Sequence, residues 1–173
     1  MANPSRRELM AGAGIGVAAS GLAAPGLAAA DSSERILGSF AGPVTVEEPP
    51  GIPGFIAQFT FSPGGGVVES ARLYLPGTPF GDWLETPGNG AWERTGSRTY
   101  AVGFQLVIQK APGDPDAGAF VGIDRVWWTA TLERGGDHLA GPFFNEIRDA
   151  SGTLLFGVRG RIETDRLSAR PPA

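Results

Sequence analysis

Thr99-Tyr100-Ala101-Val102-Gly103-Phe104-Gln105-Leu106-Val107-Ile108-Gln109-Lys110 decides the architecture of this chain. Large apolar side chains stand at Tyr100, Val102, Phe104, Leu106 and Ile108, and smaller or polar ones fall between them. A period of two over twelve residues is a half-buried β-strand, because successive side chains of an extended chain point to opposite faces. One face is core and the other faces outward.

The same alternation recurs on both sides of this stretch. Upstream, strands are expected at Ile36 to Val46, Phe55 to Phe61, Val67 to Leu75 and Gly90 to Arg94. Downstream they fall near Ala119 to Glu133, His138 to Asp149 and Thr153 to Thr164. Phe55, Ala57, Phe59 and Phe61 form one inward series, and Leu154, Phe156, Val158, Gly160 and Ile162 another. Adjacent Trp127 and Trp128 must point to opposite sides of the wall. The connections carry turn chemistry: Ser62-Pro63-Gly64-Gly65, Asp114-Pro115-Asp116-Ala117-Gly118, Gly135-Gly136-Asp137 and Asp149-Ala150-Ser151-Gly152. Tight turns make sequence neighbours spatial neighbours. The fold class is therefore all-β, an eight-stranded antiparallel up-and-down β-barrel, since closure is the simplest way to hide two sheet edges. The Pro- and Gly-rich stretch from Pro76 to Gly90, with Phe80 and Trp83, reads as a long loop lying over one barrel mouth.

Ahead of the barrel stands a different kind of segment. Arg6-Arg7, an uncharged Ala/Gly-rich stretch and Ala28-Ala29-Ala30 have the layout of a twin-arginine export signal, 1–30, with cleavage after Ala30 and small residues at Ala28 and Ala30. The apolar run is too short for a stable membrane anchor. This implies a bacterial protein exported through the twin-arginine translocase to the periplasm or the medium, with 31–168 as the barrel domain and 169–173 as a disordered tail.

Composition narrows the chemistry. Two of the 14 basic residues and one of the 18 acidic ones lie in the leader, so the remainder is acidic, which disfavours nucleic acid as a partner. The absence of cysteine removes thiolate and disulfide chemistry, and a single histidine, His138, rules out a multi-His metal site. No metal and no cofactor is expected. His138 follows a Gly-Gly-Asp turn and is expected to be solvent-exposed. Asp114, Asp116 and Gly118 resemble the start of a calcium loop, but Arg125 stands where the closing Glu belongs, so a plain turn is expected. Gly64-Gly65-Gly66 is likewise a turn, and no serine sits in a nucleophile elbow.

Gly38-Ser39-Phe40 near the start of the first strand, followed by eight meandering strands, resembles the Gly-x-Trp opening of the lipocalins, with Phe in the Trp position. That resemblance implies an arginine of the closing strand packed across Phe40, with Arg159 or Arg161 in similar placement. The chain departs from the family in lacking the Trp and the usual C-terminal helix. The allene-oxide-cyclase-like barrels are similar in length and strand count.

Polar residues on inward faces are the informative exceptions, because burying them costs free energy unless something pairs with them. Glu69 shares a face with Val67, Ala71 and Leu73; Asp124 with Phe120, Val126 and Trp128; Asn145 with Leu139, Phe143 and Ile147. The expected ligand site comprises Phe59, Phe61, Glu69, Tyr100, Phe104, Asp124, Trp128, Phe143, Asn145 and Phe156, with Glu69, Asp124 and Tyr100 as the candidate catalytic groups. The competing expectation puts the polar residues at a rim or against Arg72, Arg125 or Arg148. Three functions follow: a carrier of an apolar or amphipathic small molecule, a cofactor-independent isomerase or cyclase working by a buried carboxyl or Tyr100, and a filled barrel that presents loops to another protein.

Overall fold

The computed structural model describes residues 36–71, 74–78 and 81–169. The expectations at Arg6, Arg7, Ala28, Ala30, Arg72, Leu73, Phe80 and most of the C-terminal tail lie outside these residues. Ten strands make one antiparallel sheet: β1 (Gly38–Glu48), β2 (Phe55–Phe61), β3 (Gly66–Ser70), β4 (Tyr74–Thr78), β5 (Gly81–Glu85), β6 (Gly88–Arg94), β7 (Thr99–Lys110), β8 (Phe120–Leu132), β9 (His138–Arg148) and β10 (Leu154–Arg166). Their order is β4-β5-β7-β6-β3-β2-β1-β10-β9-β8, and β8 pairs back onto β7.

That pairing closes an eight-staved barrel. β3 and β4 are two halves of one interrupted stave, as are β5 and β6: Trp83 to Glu85 pair with Lys110 to Ile108, and Asn89 to Arg94 continue along the same edge from Gln105 to Tyr100. Pro87 interrupts the ladder because it has no N–H to donate. Thr86 bridges the gap, its N–H donating to Val107 O at 3.0 Å and its Oγ1 accepting the Val107 N–H at 3.0 Å.

The expected loop over the mouth is thus corrected to strand. Leu75 pairs with Trp83 and Thr78 with Gly81, and the hairpin is tied by Tyr74 Oη donating to Asp82 Oδ2 at 2.6 Å and by the Gly77 N–H donating to Asp82 Oδ1 at 2.8 Å. Trp83 is buried against Ile108 and Ile147. Proline and glycine punctuate this segment without preventing pairing, because a two-part stave needs its hydrogen bonds only between the breaks.

Inward alternation holds along most of the wall. The five inward residues expected on β7 are all buried, as are Ala57, Phe59 and Phe61 on β2. Two positions break the pattern, each at a bulge. Leu154 is 51 % exposed because the register with β9 slips between Leu154 and Phe156, and Phe120 is 48 % exposed because Val121 is the extra residue between partners of Ile108 and Gln109. Trp127 lies outside, stacked on Phe144 with centroids 4.8 Å apart, while Trp128 is inside.

One end of the barrel is filled. Ile36, Phe40, Phe61, Tyr100, Trp128 and Leu139 are at most 2 % exposed there, with Phe40 edge-on to Phe61 at 5.9 Å. Arg166 caps it, its guanidinium carbon 4.4 Å from the Phe40 ring centroid, Nη1 donating to Leu37 O at 2.6 Å and Nε to Gly136 O at 2.9 Å. The expectation of Arg159 or Arg161 in this role is corrected. Both are exposed on β10, since Gly160, Ile162 and Thr164 hold the inward parity, and Arg166 is the next inward position and the register partner of Phe40. Strands approach closely where side chains are absent: a Cβ on Gly141 or Gly160 would lie 1.9 Å from the carbonyl oxygen of Thr129 or Thr45.

His138 is corrected from solvent-exposed to half-buried, its Nδ1 2.8 Å from Asp165 Oδ1. Asp114 closes a turn by accepting the Asp116 N–H at 2.9 Å and pairs with Lys110 at 3.3 Å.

Candidate ligand cavity

The opposite end of the barrel is hollow. In an up-and-down meander the ends of odd staves and the starts of even ones lie together, so β1, β4, β7 and β9 finish where β2, β5, β8 and β10 begin. Between them is a cavity of about 460 Å³ walled by Phe55, Phe59, Phe104, Val126, Phe143 and Phe156, with Leu75 and Trp83 of the β4–β5 hairpin and Ile52 of the β1–β2 connection at its mouth. A wider, shallower groove crosses the outside of the wall over Trp127, Phe144 and Arg159, and the barrel wall separates it from the interior carboxyls.

Three expected polar residues meet in the cavity: Glu69 from β3, Asp124 from β8 and Asn145 from β9. Glu69 is 3 % exposed and Asp124 5 %. The competing expectation of an arginine partner is corrected for Arg148, which pairs with Glu146, while Asp124 bonds to Asn145. Asn145 is locked by its neighbours. Its Oδ1 accepts the Val158 N–H at 2.7 Å, which leaves Nδ2 to donate to Asp124 Oδ2 at 2.8 Å. Asp124 Oδ1 is buried with no hydrogen-bond partner among the described residues. A buried acceptor left unpaired is costly and marks a place where something else bonds.

Glu69 reaches its place because Gly88 is a glycine. A Cβ there would stand 2.7 Å from Phe104 Cδ2 and 3.0 Å from Glu69 Oε2; without it, the Gly88 N–H donates to Oε2 at 3.3 Å. Burial pushes the Glu69 carboxyl up to about 7, against the opposing pull of that N–H. Burial also pushes Asp124 up to about 7; the Asn145 hydrogen bond works against this and the charge of Glu69 adds to it. Two carboxyls near neutrality thus face one apolar space.

Of the expected ligand residues, Phe59, Glu69, Phe104, Asp124, Phe143, Asn145 and Phe156 line the cavity. Phe61, Tyr100 and Trp128 do not, which is a correction: they lie in the filled end. Tyr100 packs on Trp92 at 5.9 Å instead of placing its hydroxyl in the mouth, because it starts an odd stave and so belongs to the opposite end. Missed were Trp83, Gly88 and the Pro49 to Pro53 connection. Trp83 carried a signal, being an aromatic in the segment expected to cover the mouth; Gly88 carried none beyond its place after Pro87.

No family model matches this chain, and no curated protein and no solved structure matches it.

Proposed function

We propose that the open half of the barrel binds an apolar or amphipathic small molecule. The observation that carries this is the cavity itself, with aromatic walls and only a few fixed polar groups, the composition of small-molecule sites in general. Burying a ligand against such walls supplies affinity at roughly 25 cal/mol per Å² of apolar surface. The hollow end counts against a barrel filled throughout that serves only to present loops. Native mass spectrometry of the protein purified from its own compartment is expected to reveal a small molecule that denaturation releases. Ala57→Phe, which projects a ring into the cavity, is expected to lose it; an unchanged complement in that variant would refute binding inside the barrel.

A second reading rests on Glu69 and Asp124. Carboxyls that burial pushes up to about 7 both give and take protons at neutral pH, and the charge of Glu69 raises Asp124 further, so one can act as acid while the other acts as base. This suits a cofactor-independent isomerase or cyclase that removes a proton from carbon on one side of the ligand and returns one on another. Incubation with the co-purified molecule in D2O would show deuterium incorporation that Asp124→Asn abolishes; no incorporation would leave the carrier reading alone.

The chain is further proposed to be lipocalin-like, supported by the stacking of Arg166 on Phe40 at the closed end, and to be exported through Arg6-Arg7. Replacing both arginines by lysine is expected to abolish export through the twin-arginine route, and continued secretion would assign the leader to the general route.

A further inference from the structure

Resting on the ligand-binding reading above, we propose that the cavity selects apolar amines, holding the ammonium group between Asp124 and Glu69 and the hydrocarbon body against Phe59, Phe104 and Phe143.

The charge inventory of the cavity is one-sided. Its described lining residues include three carboxyls, Glu69, Glu85 and Asp124, and no Lys, Arg or His. The elements around Asp124 offer it little compensation: β9 gives Asn145, whereas β1, β2, β7 and β10 face the space with Val44, Phe59, Leu106 and Val158. Hydrogen-bonding capacity is one-sided too. Asn145 accepts from the Val158 N–H and gives one Nδ2 hydrogen to Asp124 Oδ2, and what remains open on the ionised aspartate is the acceptor Oδ1. An acceptor sealed in an apolar wall calls for a donor, and an ammonium brings three donors and the opposite charge.

The walls favour the same ligand. Aromatic faces attract a cation that has left water, and the attraction grows as the site is desolvated. A carboxylate ligand is repelled once the resident carboxyls Glu69, Glu85 and Asp124 are ionised. A neutral carbonyl ligand fits only the protonated aspartic acid, which then donates to it. These two ligand types therefore respond oppositely to pH. An amine needs the ionised carboxylate, so its affinity rises with pH until the carboxyl has lost its proton. A carbonyl ligand needs the proton and weakens over the same range.

Octylamine, octanol, octanal and octanoate share a chain and differ in the head, so titration of the full protein with each isolates the head group. At pH 8 octylamine is expected to bind at least tenfold more tightly than octanol, and octanoate least well. Between pH 5 and 7 octylamine affinity is expected to rise severalfold per unit while octanol stays level. Asp124→Asn is expected to bring the amine-to-alcohol ratio to about one, and Glu69→Gln to lower it. Octanol or octanal equal to octylamine in the wild-type protein would overturn the amine proposal and leave the carrier reading standing. No binding of any of the four, with Ala57→Phe indistinguishable from wild type, would overturn both.

Discussion

Trp128→Ala is expected to lower stability by about 3–5 kcal/mol, the range for deleting a large aromatic from a packed core. The indole is 1 % exposed, its ring centroid 5.0 Å from Phe59 and 6.4 Å from Phe61. On β8 the inward series runs Asp124, Val126, Trp128, which makes the indole the first inward side chain below the cavity. Phe59, the nearest ring, is also packed against Phe104 at 5.9 Å, which opposes its collapse into the space. A loss of this size is a large share of the roughly 5–15 kcal/mol that keeps a domain folded. Trp128→Phe isolates packing from polarity. Its ring keeps much of the contact, and it removes an indole Nε1–H that is buried with no hydrogen-bond partner among the described residues, so its cost is expected below about 1.5 kcal/mol. Urea midpoints at constant slope measure both variants. An alanine variant within about 1 kcal/mol of wild type would mean that the floor between filled and hollow ends is not built on this side chain.

Side-chain parity was legible in the sequence wherever the chain is regular. Alternation along Tyr100 to Ile108 placed five side chains inside, and the same counting put Glu69 and Asp124 on inward faces although both are charged types. It failed at Leu154 and Phe120, since a bulge inserts one residue and reverses the parity beyond it, and no residue type at those points marks the insertion. Parity also says nothing about depth along the barrel axis, so by itself it groups Phe61, Tyr100 and Trp128 with Glu69 and Asp124 although they fill the other end. Strand direction holds that information: Tyr100 begins an odd stave and Phe61 ends an even one, which sends both away from the start of β8, where Asp124 stands. Arg166 was open to the same argument, because Gly160 and Ile162 already fixed the inward parity of β10. The division of the fourth stave into β5 and β6 was marked only by Pro87, and which stretch of β7 each half reaches was not legible.

Asp124→Asn is expected to stabilise the protein at alkaline pH while destroying its selectivity for amines. The carboxyl titrates near 3.8 in the unfolded chain and about 7 in the folded protein. Below about pH 4 it is protonated in both states and folding is not penalised. As pH rises from about 4 to 7 the unfolded chain ionises and the folded one does not, so stability falls; above 7 both are ionised and the penalty is complete. Three pH units at about 1.36 kcal/mol each would amount to roughly 4 kcal/mol. An asparagine escapes that penalty and can still accept a neutral hydrogen bond from Asn145, as the protonated aspartic acid does. The hydrogen bond from Asn145 already counts in the value near 7, so the net gain at pH 8 is on the order of 3–4 kcal/mol, and at pH 4 the two proteins are expected to agree within about 1 kcal/mol. Denaturant midpoints across pH 4 to 8 measure this directly, with Glu69→Gln expected to remove a further part of the slope because burial raises that carboxyl to about 7 as well. A midpoint for Asp124→Asn at or below wild type at pH 8 would show that the aspartate is not held at a cost. If the gain appears, Asp124 destabilises the protein in which it stands, and carboxylates kept under such conditions serve what they bind and not the fold.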